Sequence, residues 1–245
     1  MRTDIEEQNN GYVNSLVLRL AALAAAFASL CGKLGMGGCA QMDSFALPLF
    51  CFLLAEGAAH TSDRFLYARR LLAFALLAEI PYNRLLFGCT VDTDSQNPLF
   101  TMLLAYLLIC AAEAVRQLTD NLLLILLCEF LGTELCVTLG RILGLSYAAY
   151  IIPSVVVFYI AMQVTYPGLT RFLGIVTVCA GINFGDPLIF ETAARIFYVP
   201  CTLLVLAALL LIRLYNGQRG INTTPAKVAF YLAYPAMLTA LLMIK

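Results

Sequence analysis

One histidine, His60, and a few ionisable side chains stand in or beside long apolar runs: Arg19, Glu56, Glu79, Glu129 and Glu134. A charge at membrane depth is costly, so such a group faces the bundle interior, takes a partner or serves a function. Glu56 lies in FCFLLAEGAAH and Glu79 in FALLAEIPYN. Consecutive antiparallel spans would set the two at opposite depths, so a paired-carboxylate site is not implied. Each of these acids reads either as a functional group or as a structural acid, neutralised or ion-paired. His60, in GAAHTSDR beside Arg64, reads either as a helix-end group, mildly favoured as a cation there, or as a general base, since imidazole titrates near neutrality. A single histidine excludes a His-rich metal site. The segment YNGQRG, Tyr215 to Gly220, is a turn, because Asn-Gly favours positive φ. Arg219 in that turn reads either as a contact to a phosphate or anionic lipid headgroup or as an ordinary loop cation.

The elements that must position these residues are helices in lipid. The 245 residues are 62% hydrophobic and 12% charged, with mean hydropathy +0.87. A soluble domain needs more charge to cover its surface. Fifteen basic and fifteen acidic residues cancel, which argues against a nucleic-acid partner. The expected fold is all-α: a single polytopic transmembrane domain over residues 1–245, with a polar tail at 1–12. About nine spans (range eight to ten) are placed at Val13–Cys31, Phe45–Ala59, Leu71–Phe87, Leu99–Ala114, Asn121–Leu139, Leu145–Met162, Leu169–Phe184, Ala194–Ile212 and Ala226–Ile244. Several fall short of the roughly 20 residues a bilayer requires, and Pro48, Pro81, Pro153, Pro187 and Pro235 signal breaks. Most of the nine cysteines sit in apolar runs and read as small packing groups. Cys39 and Cys89 lie near loops, where a bridge is conceivable but nothing supports one. No CxxC pair or histidine cluster points to zinc.

Loop charge gives the orientation. Arg64, Arg69 and Arg70 follow the second span; Arg213, Arg219 and Lys227 flank the eighth loop; Arg116 and Arg171 fall on the same side. Asp92, Asp94 and Asp186 fall on the other. The positive-inside rule then sets the N-terminus in the cytoplasm and the C-terminus outside, with Arg84, Arg141 and Arg195 running against the scheme.

Four stretches, in this order, carry a family resemblance. FALPLFCFLLAEGAAHTSDRFLYARRLLAFALLAEIPYN (Phe45 to Asn83) is followed by QNPLFT (Gln96 to Thr101), LYNGQRG (Leu214 to Gly220) and VAFYLAYPAM (Val228 to Met237). Together they resemble the TraX family, named for the F-pilin acetylation protein, along nearly the whole chain. The resemblance implies acyl transfer in a bacterial cytoplasmic membrane, with no bound cofactor and acetyl-CoA as co-substrate. The acceptor it implies is a peptide or pilin-like N-terminus, or another envelope group. On this reading His60 or Glu56 is the base, and Arg64, Arg219 and Asn216 contact the donor's phosphates. Glu79, Asn97 and Thr101 are further matching polar residues at membrane depth.

The chain departs from the family pattern at defined positions. An Asp-His-x-Gly pattern at the end of the first span falls on Ser29, Leu30, Cys31 and Gly32. An Arg of the family falls on Ser44, the Asp of a later Asp-Tyr-Gly on Ser146, and a terminal His on Met237. Three functions therefore compete: an acyltransferase with a changed active site, a catalytically silent homologue acting as a membrane binding or assembly subunit, and a small transporter. The last draws on intramembrane Glu residues and proline-interrupted helices, without an inverted repeat.

Overall fold

The computed structural model describes residues 12–37, 39–92, 94–163, 188–192, 195–199, 201–218 and 224–245, with backbone alone at 188–192, 195–199 and 224–227. Among them are eight long helices: α1 (Ser15–Lys33), α2 (Asp43–His60), α3 (Arg64–Leu86), α4 (Pro98–Leu118), α5 (Leu122–Ile142), α6 (Ala148–Gln163), α7 (Cys201–Arg213) and α8 (Thr224–Ile244). A 3-10 turn, Ala40–Met42, leads into α2. The strands β1 (Leu188–Thr192) and β2 (Arg195–Val199) form an antiparallel ladder in which Phe190 faces Phe197.

Polar caps set the helix starts. Asn14 accepts a hydrogen bond from Val17 N, Asp63 from Leu66 N, Asn97 from Leu99 N, and Asn121 from Leu123 N and Leu124 N. Each satisfies an N–H that the first turn leaves without an intrahelical acceptor. The Asp63 cap starts α3 at Arg64, seven residues before the expected Leu71, so the arginine-rich turn is helical as well as basic. The expected breaks at Pro48, Pro81, Pro153 and Pro235 do not occur: α2, α3, α6 and α8 run through them. A proline removes one ladder bond, a loss that membrane helices absorb when neighbours pack around it. The expected eighth span, Ala194–Ile212, is helical only from Cys201; its first part, with Ile196, Phe197, Tyr198 and Val199, follows the β preference of branched and aromatic residues. The expected seventh span, Leu169–Phe184, and Pro187 lie outside the described residues.

Among the described residues, four helices are long and apolar enough to cross a membrane: Ser15–Lys33, Ala40–His60 (with the 3-10 turn), Pro98–Leu118 and Leu122–Ile142. Ala148–Gln163, Cys201–Arg213 and Val228–Ile244 are apolar but shorter. The chain is therefore a helical membrane protein. Helix α2 is its hub, packing against α1, α4, α6 and α7, while α3 lies between α4 and α8. The core runs through Leu18, Leu49, Cys51, Ala55, Tyr106, Ile151, Val155 and Val205, all almost fully buried. Helix α5 turns Leu123, Leu127, Phe130 and Leu135 outward, a face suited to acyl chains. Its Glu129 is buried and bonded to Arg116 Nε at 2.8 Å. All eight described cysteines are free thiols, Cys39 and Cys89 included.

Candidate functional site

A cavity of about 260 Å³ is bounded by α1, α2, α3, the start of α4 and one face of α8. It is long. Arg19 and Lys33 both line it, as do Asp43 and His60. At 1.5 Å per residue these pairs are separated by about 21 and 25 Å along their helices. Leu23, Leu30, Leu47, Phe50, Leu54 and Phe74 make the middle apolar, and the polar groups gather at the two ends.

At the first end stand Glu56, His60, Arg19 and Arg70. His60 Nδ1 lies 2.9 Å from the Glu56 backbone oxygen. A carbonyl only accepts, so Nδ1 carries the proton and, in the neutral ring, Nε2 keeps its lone pair. The Glu56 carboxylate is buried and receives the Tyr215 hydroxyl. Arg19 lies over the Phe230 ring, 5.2 Å from its centroid, and Tyr231 stacks on Phe74. Gly57 lets the Tyr67 ring lie close against α2: a Cβ would come 2.6 Å from its hydroxyl, and the ring would have to shift.

The structure thus brings Glu56 and His60 together, as candidates of one site, and adds Arg19 and Arg70 to them. Arg64 is instead ion-paired with Glu113 and is absent from the cavity lining. Asn216 also lies off the cavity: its Oδ1 accepts from Gln218 N and folds the turn, with Gly217 at φ +73. That turn is stitched to the start of α1 by Val13 N to Leu214 O, Asn216 N to Val13 O and Ser15 N to Gln218 O. Arg219 lies outside the described residues.

Glu79, Asn97 and Thr101 belong to the opposite end and make a scaffold. Glu79 accepts from Asn83 Nδ2 (3.0 Å), Asn97 N (3.2 Å) and Asn97 Nδ2 (2.6 Å). Thr101 donates to Ser146 O at 2.7 Å, while Gln96 N donates to Gly144 O and Ser146 N to Gln96 O. Together these fix the connection between α5 and α6, whose next residue, Tyr147, has φ +60. A bulky side chain in the left-handed region is strained and must be held by its surroundings.

Tyr147 then meets Lys33 and Asp43, two groups that sequence reasoning did not single out. Its hydroxyl donates to Asp43 Oδ2 at 2.5 Å and accepts from Lys33 Nζ at 2.7 Å; Lys33 Nζ is also 2.5 Å from Asp43 Oδ2. Although 37% of the residue is exposed, the hydroxyl sits within this ion pair. Desolvation there, and next the Asp43 charge, hold the phenol well above its ordinary range, so it stays a donor at neutral pH. Only the folded chain shows this cluster, because Lys33 and Tyr147 are 114 residues apart.

The positions that depart from the family pattern lie toward this same end. Ser29 is fully buried and donates to Ala40 O at 2.8 Å. Leu30 packs in one cluster with Leu238 and Met237. No curated protein and no solved structure matches the sequence. Residues 13–245 match the family model described as TraX protein, and the chain therefore belongs to the TraX family of membrane proteins.

Proposed function

We propose that the protein is a membrane acyltransferase that engages acetyl-CoA at the Arg19–Arg70–His60 end of the cavity and serves an acceptor at the Lys33 end. The observation that carries this reading is one elongated cavity, apolar in its middle, with cations and an imidazole at one end and a hydroxyl–carboxylate–ammonium cluster at the other. Arg19 and Arg70 suit phosphates, His60 adds an N–H or a lone pair beside them, and the leucine-lined middle suits an uncharged acyl thioester arm. Family membership supports the reaction class.

The proposed orientation has the His60 end in the cytoplasm of a bacterial cell. Arg64, Arg69, Arg70, Arg116 and Arg213 all gather at that end, in keeping with the positive-inside rule. The start of α1 is there too, while the end of α8 is at the other face, where Lys245 Nζ donates to Leu85 O. Opposite termini require an odd number of crossings, which supports nine. The acceptor is a peptide N-terminus, as for a pilin-like substrate, or another envelope nucleophile.

Transfer of label from acetyl-CoA by the purified protein in lipid nanodiscs tests this. Arg70→Ala should raise the donor KM about 10–100-fold, the loss of a charge-assisted contact of about 1.5–3 kcal/mol. His60→Ala should raise it too. A folded wild type that neither binds coenzyme A nor consumes its thioester sinks the reading. The packing of Ser29 and Met237 as plain structural residues favours a second one, a silent membrane binding or assembly subunit. That reading gains if coenzyme A binds but no turnover follows.

A further inference from the structure

We infer that Lys33, Asp43 and Tyr147 form the catalytic centre at which the acceptor is deprotonated. This rests on the acyl-transfer reading above and goes beyond it by assigning the chemistry to one end of the cavity. Three observations converge. The three side chains line the cavity and are mutually bonded at 2.5–2.7 Å. Tyr147 is held in a strained backbone conformation by bonds from Gln96 and Thr101 to the residues just before it; strain of this kind collects at working sites. Both recorded contacts of the Asp43 carboxylate fall on Oδ2, so Oδ1 takes no hydrogen bond from the described residues.

Each group then has a task its chemistry allows. Asp43 Oδ1 takes the proton from an acceptor N–H or O–H as the acceptor's nitrogen or oxygen bonds to the thioester carbonyl carbon. The negative charge that develops on the carbonyl oxygen is met by the third N–H of the Lys33 ammonium; its other two are held by Asp43 and Tyr147, and Tyr147, whose one proton lies on Asp43 Oδ2, orients the pair. Collapse breaks the C–S bond, and the departing thiolate recovers the proton from Asp43. Atoms and charge balance with acetyl thioester and acceptor as the only reactants. The cluster supplies a base and an oxyanion contact, the two elements acyl transfer requires. The groups facing Asp43 are Lys33 from α1 and Tyr147 from the α5–α6 connection, and the same end of the cavity carries Tyr82 from α3 and Tyr234 from α8.

The test uses the full chain in nanodiscs with labelled acetyl-CoA. Three acceptors are offered in parallel: a tetra-alanine peptide with a free amino group, octyl glucoside, and water, the last read as thiol release. Asp43→Asn should lower kcat about 10²–10⁴-fold, leave the donor KM unchanged and abolish the acidic limb of the pH–rate profile. Lys33→Met should cost about 10²–10³-fold as the oxyanion contact, and Tyr147→Phe about 10–100-fold, the loss of one charge-assisted bond that orients Asp43. Tight binding of coenzyme A by each variant reports an intact fold. A wild type that transfers to none of the three overturns this assignment and the acyltransferase reading together. A wild type that transfers while Asp43→Asn keeps its kcat and its acidic limb overturns this assignment alone.

Discussion

Replacing Asn97 by alanine separates a scaffold residue from a catalytic one. Asn97 is fully buried and spends its whole side chain: Oδ1 caps α4 at Leu99 N (2.9 Å), and Nδ2 donates to Ala75 O (2.8 Å) and to Glu79 Oε2 (2.6 Å). Losing the cap costs about 1 kcal/mol. Losing a donor to a carboxylate costs about 1.5–3 kcal/mol. The Ala75 carbonyl lies within α3 and has the helix ladder as well, so its loss adds little. The total is about 2–4 kcal/mol, or a Tm lower by about 4–16 °C at roughly 2–4 °C per kcal/mol for a chain of this size. Asn97→Asp refines the test. Aspartate is as good a cap as asparagine, but it would set a second carboxylate against Glu79 in place of a donor. It should therefore be at least as destabilised as the alanine variant, and Glu79→Gln should rescue it. The chain has no tryptophan, so a thiol-reactive dye is the suitable probe, because unfolding exposes the buried Cys51 and Cys201. An alanine variant within about 2 °C of wild type, or an aspartate variant above it, refutes the energetic reasoning.

Other perturbations follow from the same contacts. Gly32→Ala should destabilise by about 1–3 kcal/mol, because its Cβ would lie 2.3 Å from Ala40 N; Gly132→Ala, whose nearest neighbour is a leucine methyl at 3.0 Å, serves as the tolerated control in the same melt. Arg116→Met should cost about 3–5 kcal/mol by leaving Glu129 buried without its cation, and the added change Glu129→Gln should recover most of that by dye-monitored unfolding. Arg64→Ala should leave the donor KM near wild type, in contrast to Arg70→Ala, because Arg64 is engaged by Glu113; initial-rate kinetics compare the two.

Much of the scaffold was legible in the sequence because apolar runs report what lipid and packing demand. The spans expected at Val13–Cys31, Phe45–Ala59 and Leu99–Ala114 fall on α1, α2 and α4 with ends displaced by up to four residues. The start of α3 was missed because helix and apolar run are different things: a capped, arginine-bearing turn is helical without being hydrophobic. Glu56 and His60 stood out as polar residues in an oily setting and do share a cavity. Arg64 and Arg70, six residues apart, look alike in sequence, and only packing separates the ion-paired one from the cavity-lining one. Lys33, Asp43 and Tyr147 gave no local signal at all. Their proximity depends on the α1–α2 reversal and on a loop clamped by Gln96 and Thr101.

The stitch between residues 13–15 and 214–218 also constrains motion. Tyr215, inside that seam, holds Glu56 on α2. The outset of α1, the exit of α7 and the hub helix are thus welded at a single joint beside the cationic entrance. Any widening of that entrance must carry all three together or tear the joint open, and amide protons some 200 positions apart along the chain would then exchange with deuterium at one common rate.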